Sequence, residues 1–344
     1  MIKEHVLALL TGQGVWLPLF VFVLLGIAIF MVATRLARYA DAIADATGLG
    51  RLWIGTLLLA AATSLPELTT DVNAALLDVP DIAVGDLLGS TLANMLLLAV
   101  LDLVFARRRI LQQVALDHVQ VGAMAIVLTS LASVAMFSGG WGRIGWVGVD
   151  TVTILAVYLF GMHALLQSAH PSSVPAPPMA EQAAAPPLSG TLLRFTIAAV
   201  TLAMMAPLLV TAAEAIALES GASQTFVGTM LVGFTTSFPE IAASIAAIRM
   251  GALDLAVGNV FGSNAFNMCV LFAADLAYLK GPILAAVSPE HPLTGLVAVL
   301  CIALGIMGIL ARSRQHPTLL RVESLMIVVA YAGGMILLAK GLAS

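Results

Sequence analysis

Long apolar runs, each closed by charges, Gly or Pro, recur along the whole chain. Ten can be marked: residues 15–40, 52–77, 82–105, 117–137, 145–167, 191–218, 224–248, 254–279, 291–311 and 322–341. A helix needs about 20 apolar residues to cross a bilayer, and each run is near that length. Ten-residue segments of alternating polarity, the mark of a membrane β-barrel, are absent. The pattern predicts an all-α polytopic membrane protein with ten transmembrane helices. One connection differs from the others. Residues 168–190 (SAHPSSVPAPPMAEQAAAPPLSG) are rich in Pro and Ala, carry no apolar period, and read as an extended linker. It divides the chain into a first five-helix half (1–167) and a second (191–344).

Composition sharpens this picture. Of 344 residues, 60% are apolar and 10% are charged, and mean hydropathy is +1.04. Soluble domains carry roughly 25% charged residues, so a water-soluble globule is excluded. The net charge of -4, with no basic tail, leaves no electrostatic footprint for nucleic acid. Cys269 and Cys301 lie in separate apolar runs and form neither a disulfide framework nor a zinc site. The N-terminal MIKEHVLALLTGQG is too weakly basic and too short in its apolar part for a cleaved signal peptide, so the first span is expected to be uncleaved.

Charge also sets an orientation. Ten spans place both termini on one side. Arg35, Arg38, Arg51, Arg107, Arg108, Arg109, Arg194, Arg249, Arg312, Arg314 and Arg321 then fall together on the opposite side, and only Lys3, Arg143, Lys280 and Lys340 share the side of the termini. The Arg-rich side is expected to be cytoplasmic. The linker would then lie inside and both termini outside. Short loops and compact size suggest a prokaryotic plasma (inner) membrane.

The two halves repeat each other at an offset of 173 residues. TSLPE at 63–67 matches TSFPE at 236–240, and AVGDLLGSTLANM at 83–95 matches AVGNVFGSNAFNM at 256–268. Between 62–98 and 235–271, 14 of 37 positions are identical, mostly polar, Gly and Pro positions. Chance pairing of Leu and Ala does not give that. Each half holds an odd number of spans, so the second copy crosses in the opposite sense. That is an inverted-topology repeat, common among secondary transporters, where substrates bind near mid-membrane on interrupted helices.

The repeated block carries the candidate chemistry. Pro66 and Pro239 fall about halfway along the second and seventh spans and remove a backbone donor there. Carbonyls freed in this way need another partner, and a cation serves. Glu67 and Glu240 follow at once. An intramembrane glutamate is costly and points to function. The hydroxyls of Thr63, Ser64, Thr236 and Ser237 make the set all-oxygen, as hard cations prefer. Ser90 with Asn94, and Ser263 with Asn267, share helix faces at four-residue spacing. Two formal negative charges balance one Ca²⁺ or two Na⁺, the competition that exchange requires.

These blocks resemble the α-repeats of the sodium/calcium exchanger (calcium/cation antiporter) superfamily, prokaryotic type. Its pattern runs roughly G-T-S-x-P-E, then G-N-x-x-G-S-N-x-x-N. The second copy matches at Thr236, Ser237, Pro239, Glu240, Gly258, Asn259, Gly262, Ser263, Asn264 and Asn267. The first matches at Thr63, Ser64, Pro66, Glu67, Gly85, Gly89, Ser90 and Asn94. The resemblance implies Glu67 and Glu240 as central Ca²⁺ and Na⁺ ligands, completed by Asn94 and Asn267. Thr63, Ser64, Ser90, Thr236, Ser237 and Ser263 would form flanking Na⁺ sites. It also implies alternating access by sliding of the first and sixth helices, here 15–40 and 191–218. The chain departs from the pattern at Ala62 and Thr235, where Gly is usual. It departs again at Asp86 and Thr91, whose counterparts are Asn259 and Asn264, and at Asp71, whose counterpart is Ser244.

The expected function is a secondary active antiporter exchanging Na⁺ for Ca²⁺, with these ions as bound cargo and no cofactor. The alternative is Ca²⁺ (or other cation)/H⁺ exchange with Asp71 or Asp86 as proton carrier or extra cation site. A channel and a non-transporting scaffold are weaker readings, and no enzymatic motif is present. One chain carries both halves, so a monomer suffices. Gly85-x-x-x-Gly89 and Gly258-x-x-x-Gly262 read as close-packing surfaces. Asp102 and Asp275 read as interface or capping groups. His118 and His163 read as packed or interfacial. Gly140-Trp141-Gly142-Arg143-Ile144-Gly145 fits a dinucleotide fingerprint but has no strand before it.

Overall fold

The computed structural model describes residues 2–12, 14–105, 110–168, 187–220, 233–311 and 322–341. Most of the 168–190 linker, the start of the seventh span and the arginines at 107–109, 312, 314 and 321 lie outside these residues.

The chain is helical almost throughout. A short helix α1 (Ile2–Leu10) precedes the long α2 (Trp16–Thr47). The second span is two helices, α3 (Arg51–Thr63) and α4 (Leu65–Leu76), bent by 44°. Then come α5 (Pro80–Val104), the single turn α6 (Ile110–Gln113), α7 (His118–Phe137) and α8 (Val149–Ser168). The second half runs α9 (Leu188–Ser220), α10 (Gly233–Thr236), α11 (Phe238–Met250), α12 (Leu253–Ala277), α13 (His291–Leu310) and α14 (Val322–Gly341). Seven of these helices, and the bent α3–α4 pair, are long and apolar enough to cross a membrane. Every expected span has a helix at its position, the seventh being described only from Gly233 onward.

Two differences from the sequence reading have physical causes. The first span runs on to Thr47 because Leu36, Ala37, Ala40, Ile43 and Ala44 keep one face buried past the apolar run. Gly48 then ends it in a left-handed turn, donating its N–H to Ala44 O. Helix α1 was not expected. Its Leu10 packs with Ala212 and Ala215 of α9, and Glu219 accepts hydrogen bonds from Gly12 N (2.5 Å) and Gly14 N (3.0 Å).

Helix α12 is the centre of the molecule, packed against α3, α4, α5, α7, α8 and α11. Its approach to α3 is close because Gly258 and Gly262 face a widened, π-type turn at Ile54–Leu59. A Cβ on Gly258 would sit 2.8 Å from Leu52 O, and one on Gly262 would overlap the Thr56 backbone. These glycines are packing residues, as expected. Gly262→Ala is therefore expected to cost about 1–3 kcal/mol through overpacking, read as a lower melting temperature in detergent. Helices α2 and α9 pack along each other at the edge. They turn Trp16, Phe20, Leu24, Ile27, Met31, Leu193, Ile197 and Met204 outward, as lipid-facing surfaces do.

Residues 173 apart make equivalent contacts with the opposite half. Asp254 Oδ1 accepts from Ala115 N (2.7 Å) and lies 3.1 Å from His118 Nε2. Asp81 Oδ1 accepts from Ser288 N (2.7 Å) and lies 3.0 Å from His291 Nε2. Likewise Thr151 Oγ1 donates to Asp275 Oδ2 (2.5 Å) and Ser324 Oγ to Asp102 Oδ2 (2.9 Å). Each half thus holds the helix ends of the other. His118 is a packed residue with a specific partner rather than an isolated one. His163 instead sits near a helix end, 2.9 Å from Gln167. The Gly140–Gly145 segment forms a two-residue hairpin (Arg143–Ile144 with Val147–Gly148), with positive φ at Gly140, Gly142 and Gly145. Both cysteines are free.

Candidate functional site

The bundle is interrupted at one level in both copies. Ser64 (φ -89, ψ 7) separates α3 from α4, and Ser237 (φ -82, ψ 4) separates α10 from α11. The cause is local. Pro66 and Pro239 lack the N–H that would close helical bonds to the carbonyls of Ala62 and Thr235. The chain restarts as a helix with Glu67 and Glu240 in its first turn, where a carboxylate is favoured by the exposed amide dipoles.

Around these breaks the structure buries a set of polar side chains within an apolar bundle. Thr63, Ser64, Glu67, Ser90, Asn94, Thr236, Ser237, Glu240, Ser263 and Asn267 are all buried. Bonds across the two copies tie part of it together. Ser64 Oγ donates to Glu240 Oε1 (3.1 Å). Thr63 Oγ1 lies 3.2 Å from Asn259 Oδ1, and Thr236 Oγ1 lies 3.2 Å from Asp86 Oδ1, the same contact made in each direction.

The remaining oxygens are unusual because they have no partner. Among the described residues nothing hydrogen-bonds Glu67 Oε2, Glu240 Oε2, Ser90 Oγ, Asn94 Oδ1, Ser237 Oγ, Ser263 Oγ or either polar atom of the Asn267 amide. Buried polar groups are almost always satisfied, so each exception calls for a reason. Besides Thr56 Oγ1, Thr129 Oγ1 and His118 Nδ1 elsewhere, the exceptions fall on the repeated motif or next to it, and on the motif nearly all are oxygens. That donor set suits a hard cation. No three His, Cys, Asp or Glu side chains converge among the described residues. The coordinating capacity therefore rests on hydroxyls, amides and the Glu pair.

The two copies are not equal at the asparagines. Asn94 Nδ2 donates to Asn264 Oδ1 (3.1 Å). The counterpart of Asn264 in the first copy is Thr91, which instead bonds its own helix at Leu87 O (2.9 Å). Asn267 is left without the equivalent contact. Asn264 and Asn259 are thus part of the cluster, although the sequence reading treated them only as motif positions. Their presence in the aligned block was the available signal. Asp71 and Asp86 neighbour each other and Glu67. Asp102 and Asp275 instead accept from amides and hydroxyls at helix ends and turns, as expected. Asp275 accepts from Gly148 N (2.7 Å), Ile283 N (2.7 Å) and Thr151 Oγ1.

The family model described as sodium/calcium exchanger protein matches residues 17–164 and again 190–340. The chain belongs to the sodium/calcium exchanger family. It is accordingly a multi-pass membrane protein and a cation antiporter rather than an enzyme. Among its relatives, the putative antiporter CaxA of Alkalimonas amylolytica is 28% identical over 333 residues, 91% of this chain and 96% of CaxA. The inner membrane protein YrbG of Escherichia coli (strain K12) is 26% identical over 254 residues, 73% of this chain and 77% of YrbG. The fold is that of the sodium-calcium exchanger NCX_Mj. Its structure soaked with 2.5 mM Na⁺ and 0.1 mM Sr²⁺ superimposes with a TM-score of 0.69 at 22% identity, covering 94% of this chain and 99% of that one. The form soaked with 2.5 mM Na⁺ and 0.1 mM Ca²⁺ gives 0.69 at 21%, covering 93% and 98%.

Proposed function

We propose that the chain exchanges Na⁺ for Ca²⁺ by alternating access, both cations using the Glu67–Glu240 cluster in turn. The observation that carries this is the set of buried oxygens, without partners among the described residues, on the two symmetric helix breaks and on α5 and α12. Glu67 and Glu240 supply the charge. Asn94 and Asn267 complete the centre. Thr63, Ser64, Ser90, Thr236, Ser237 and Ser263 flank it as Na⁺ ligands. The ions are cargo, and no cofactor is required. Structures of NCX_Mj soaked with Na⁺ and with Ca²⁺ or Sr²⁺ support the choice of ions.

The charge explains the coupling. Two bare carboxylates resist facing the apolar interior, and a bound cation set neutralises them. An empty carrier therefore does not cross, and exchange is favoured over leak. The moving elements are α2 and α9, which pack on each other at the edge of the bundle. The membrane is the prokaryotic inner membrane, with the Arg-rich face inside and both termini outside.

A second reading keeps the fold and replaces Na⁺ by H⁺, carried by Asp71 or Asp86. The buried Asp71 carboxyl, whose oxygens receive no hydrogen bond among the described residues, favours it. Proteoliposomes decide between the two. Ca²⁺ uptake driven by internal Na⁺ and indifferent to a pH gradient is the expected result. Uptake driven by internal acid without Na⁺ would replace Na⁺ by H⁺ as the coupling ion.

A further inference from the structure

The two repeats treat one pair of positions differently. In the second copy the pair is Ser244 and Asn259. Asn259 Nδ2 donates to Ser244 Oγ at 3.2 Å, so a neutral pair satisfies itself. In the first copy the equivalent residues are Asp71 and Asp86, two neighbouring carboxyls. Asp71 is 0% exposed, and among the described residues neither of its oxygens receives a hydrogen bond; nor does Asp86 Oδ2. No Lys, Arg or His among the described residues forms an ion pair with either.

Packing does not demand two acids here, because the second copy fills the same place with a hydroxyl and an amide. Two adjoining buried carboxylates are strongly unfavourable without a compensating charge. The surroundings are again oxygen. Thr236 Oγ1 reaches Asp86 Oδ1, and the partnerless, buried Ser90 Oγ lies one turn along the same face of α5. Asp71 is one turn beyond Glu67 toward the α4–α5 connection, about 6 Å along the helix axis. The pair therefore stands between the central cluster and the bundle end that carries Asp78 and Asp81. The equivalent place toward the opposite end is neutral.

We propose that Asp71 and Asp86 form an additional cation site, taking a hard cation such as Ca²⁺ or Na⁺ on the path between the central cluster and the α4–α5 end. The site rests on the exchange reading above for its cargo, and it gives the carrier unequal faces. Cations arriving from the α4–α5 side meet an acidic pair first. Those arriving from the other side meet Ser244 and Asn259.

The test is Asp71→Ser with Asp86→Asn, which copies the second repeat into the first. ⁴⁵Ca²⁺ and ²²Na⁺ binding to the purified full chain is compared with wild type and with Glu67→Gln/Glu240→Gln. Wild type is expected to show two classes of cation site. The Asp variant keeps only the central class, and the Gln variant keeps only the acidic-pair class. In vesicles of known orientation, the Asp variant loses about tenfold in apparent affinity from the α4–α5 side and little from the other, a shift of about 1.4 kcal/mol. Asp71→Asn alone, nearly isosteric, provides the same reading if the double variant does not fold. Binding of both ions unchanged in the Asp variants would mean that the pair holds only a proton, and would overturn the site. If wild-type vesicles show no Na⁺-dependent Ca²⁺ flux, the exchange reading fails instead, a result visible without any Asp variant.

Discussion

Glu67→Gln and Glu240→Gln are each expected to abolish the proposed Na⁺-driven Ca²⁺ uptake while leaving the protein folded. Gln keeps the side chain's volume and one carbonyl oxygen. Ser64 Oγ, which now donates to Glu240 Oε1, can still donate to the amide oxygen of Gln. What is lost is charge. At an effective dielectric of about 20, a unit charge about 4 Å from a monovalent cation contributes roughly 4 kcal/mol. That corresponds to about a thousandfold in affinity, and a divalent cation loses more. Desolvation losses are shared with the wild type, so they do not rescue the variant. The two substitutions should have similar effects, because the residues occupy equivalent positions on the two helix breaks. Tracer uptake into proteoliposomes measures the loss, and size-exclusion profiles check the fold. Wild-type flux in both variants would remove the Glu pair from the transport site.

Asp275→Ala is expected to have the largest effect on stability. Asp275 is fully buried and accepts from two backbone amides and one hydroxyl. These donors hold the hairpin before α8 and the turn after α12 in place. Ala removes the acceptor and leaves two backbone donors without partners, while the Thr151 hydroxyl keeps Gly148 O at 3.1 Å. Each stranded buried donor costs about 1–3 kcal/mol, so a loss of roughly 2 kcal/mol or more is expected. Asp275→Asn keeps the size and one acceptor oxygen, and should fall between Ala and wild type. Thermal unfolding in detergent gives the order. Equal stability of all three proteins would show that the capping bonds contribute nothing.

The ten runs, the 173-residue offset and the Ser-x-Pro-Glu breaks could be read in the sequence because they depend on local chemistry. Proline acts on its own helix, and apolar length acts on its own span. Partner choice depends on packing and was less visible. His118 read only as packed or interfacial, yet the same offset places His291 in the second copy, and the two histidines pair with Asp254 and Asp81 across the halves. Applying the repeat to every polar residue would have exposed that pairing. The widened turn at Ile54–Leu59 left no trace in composition, because it packs against Gly258 and Gly262 of a helix far along the chain. Helix α1 was hidden by its length. Nine residues are too few for a stable isolated helix, and α1 is held by Leu10 on α9 and by Glu219. Asp71 and Asp86 did stand out as departures, but only the structure placed them side by side.

The central claim is that one cluster serves both cations in turn, and competition in binding tests it most directly. Ca²⁺ is titrated calorimetrically into the purified chain at rising Na⁺ concentration. Choline replaces Na⁺ to hold ionic strength constant. The account predicts that apparent Ca²⁺ affinity falls steadily as Na⁺ rises, and that high-affinity binding at the centre disappears in Glu67→Gln/Glu240→Gln. Ca²⁺ affinity that is independent of Na⁺, with both ions bound at once, would contradict it.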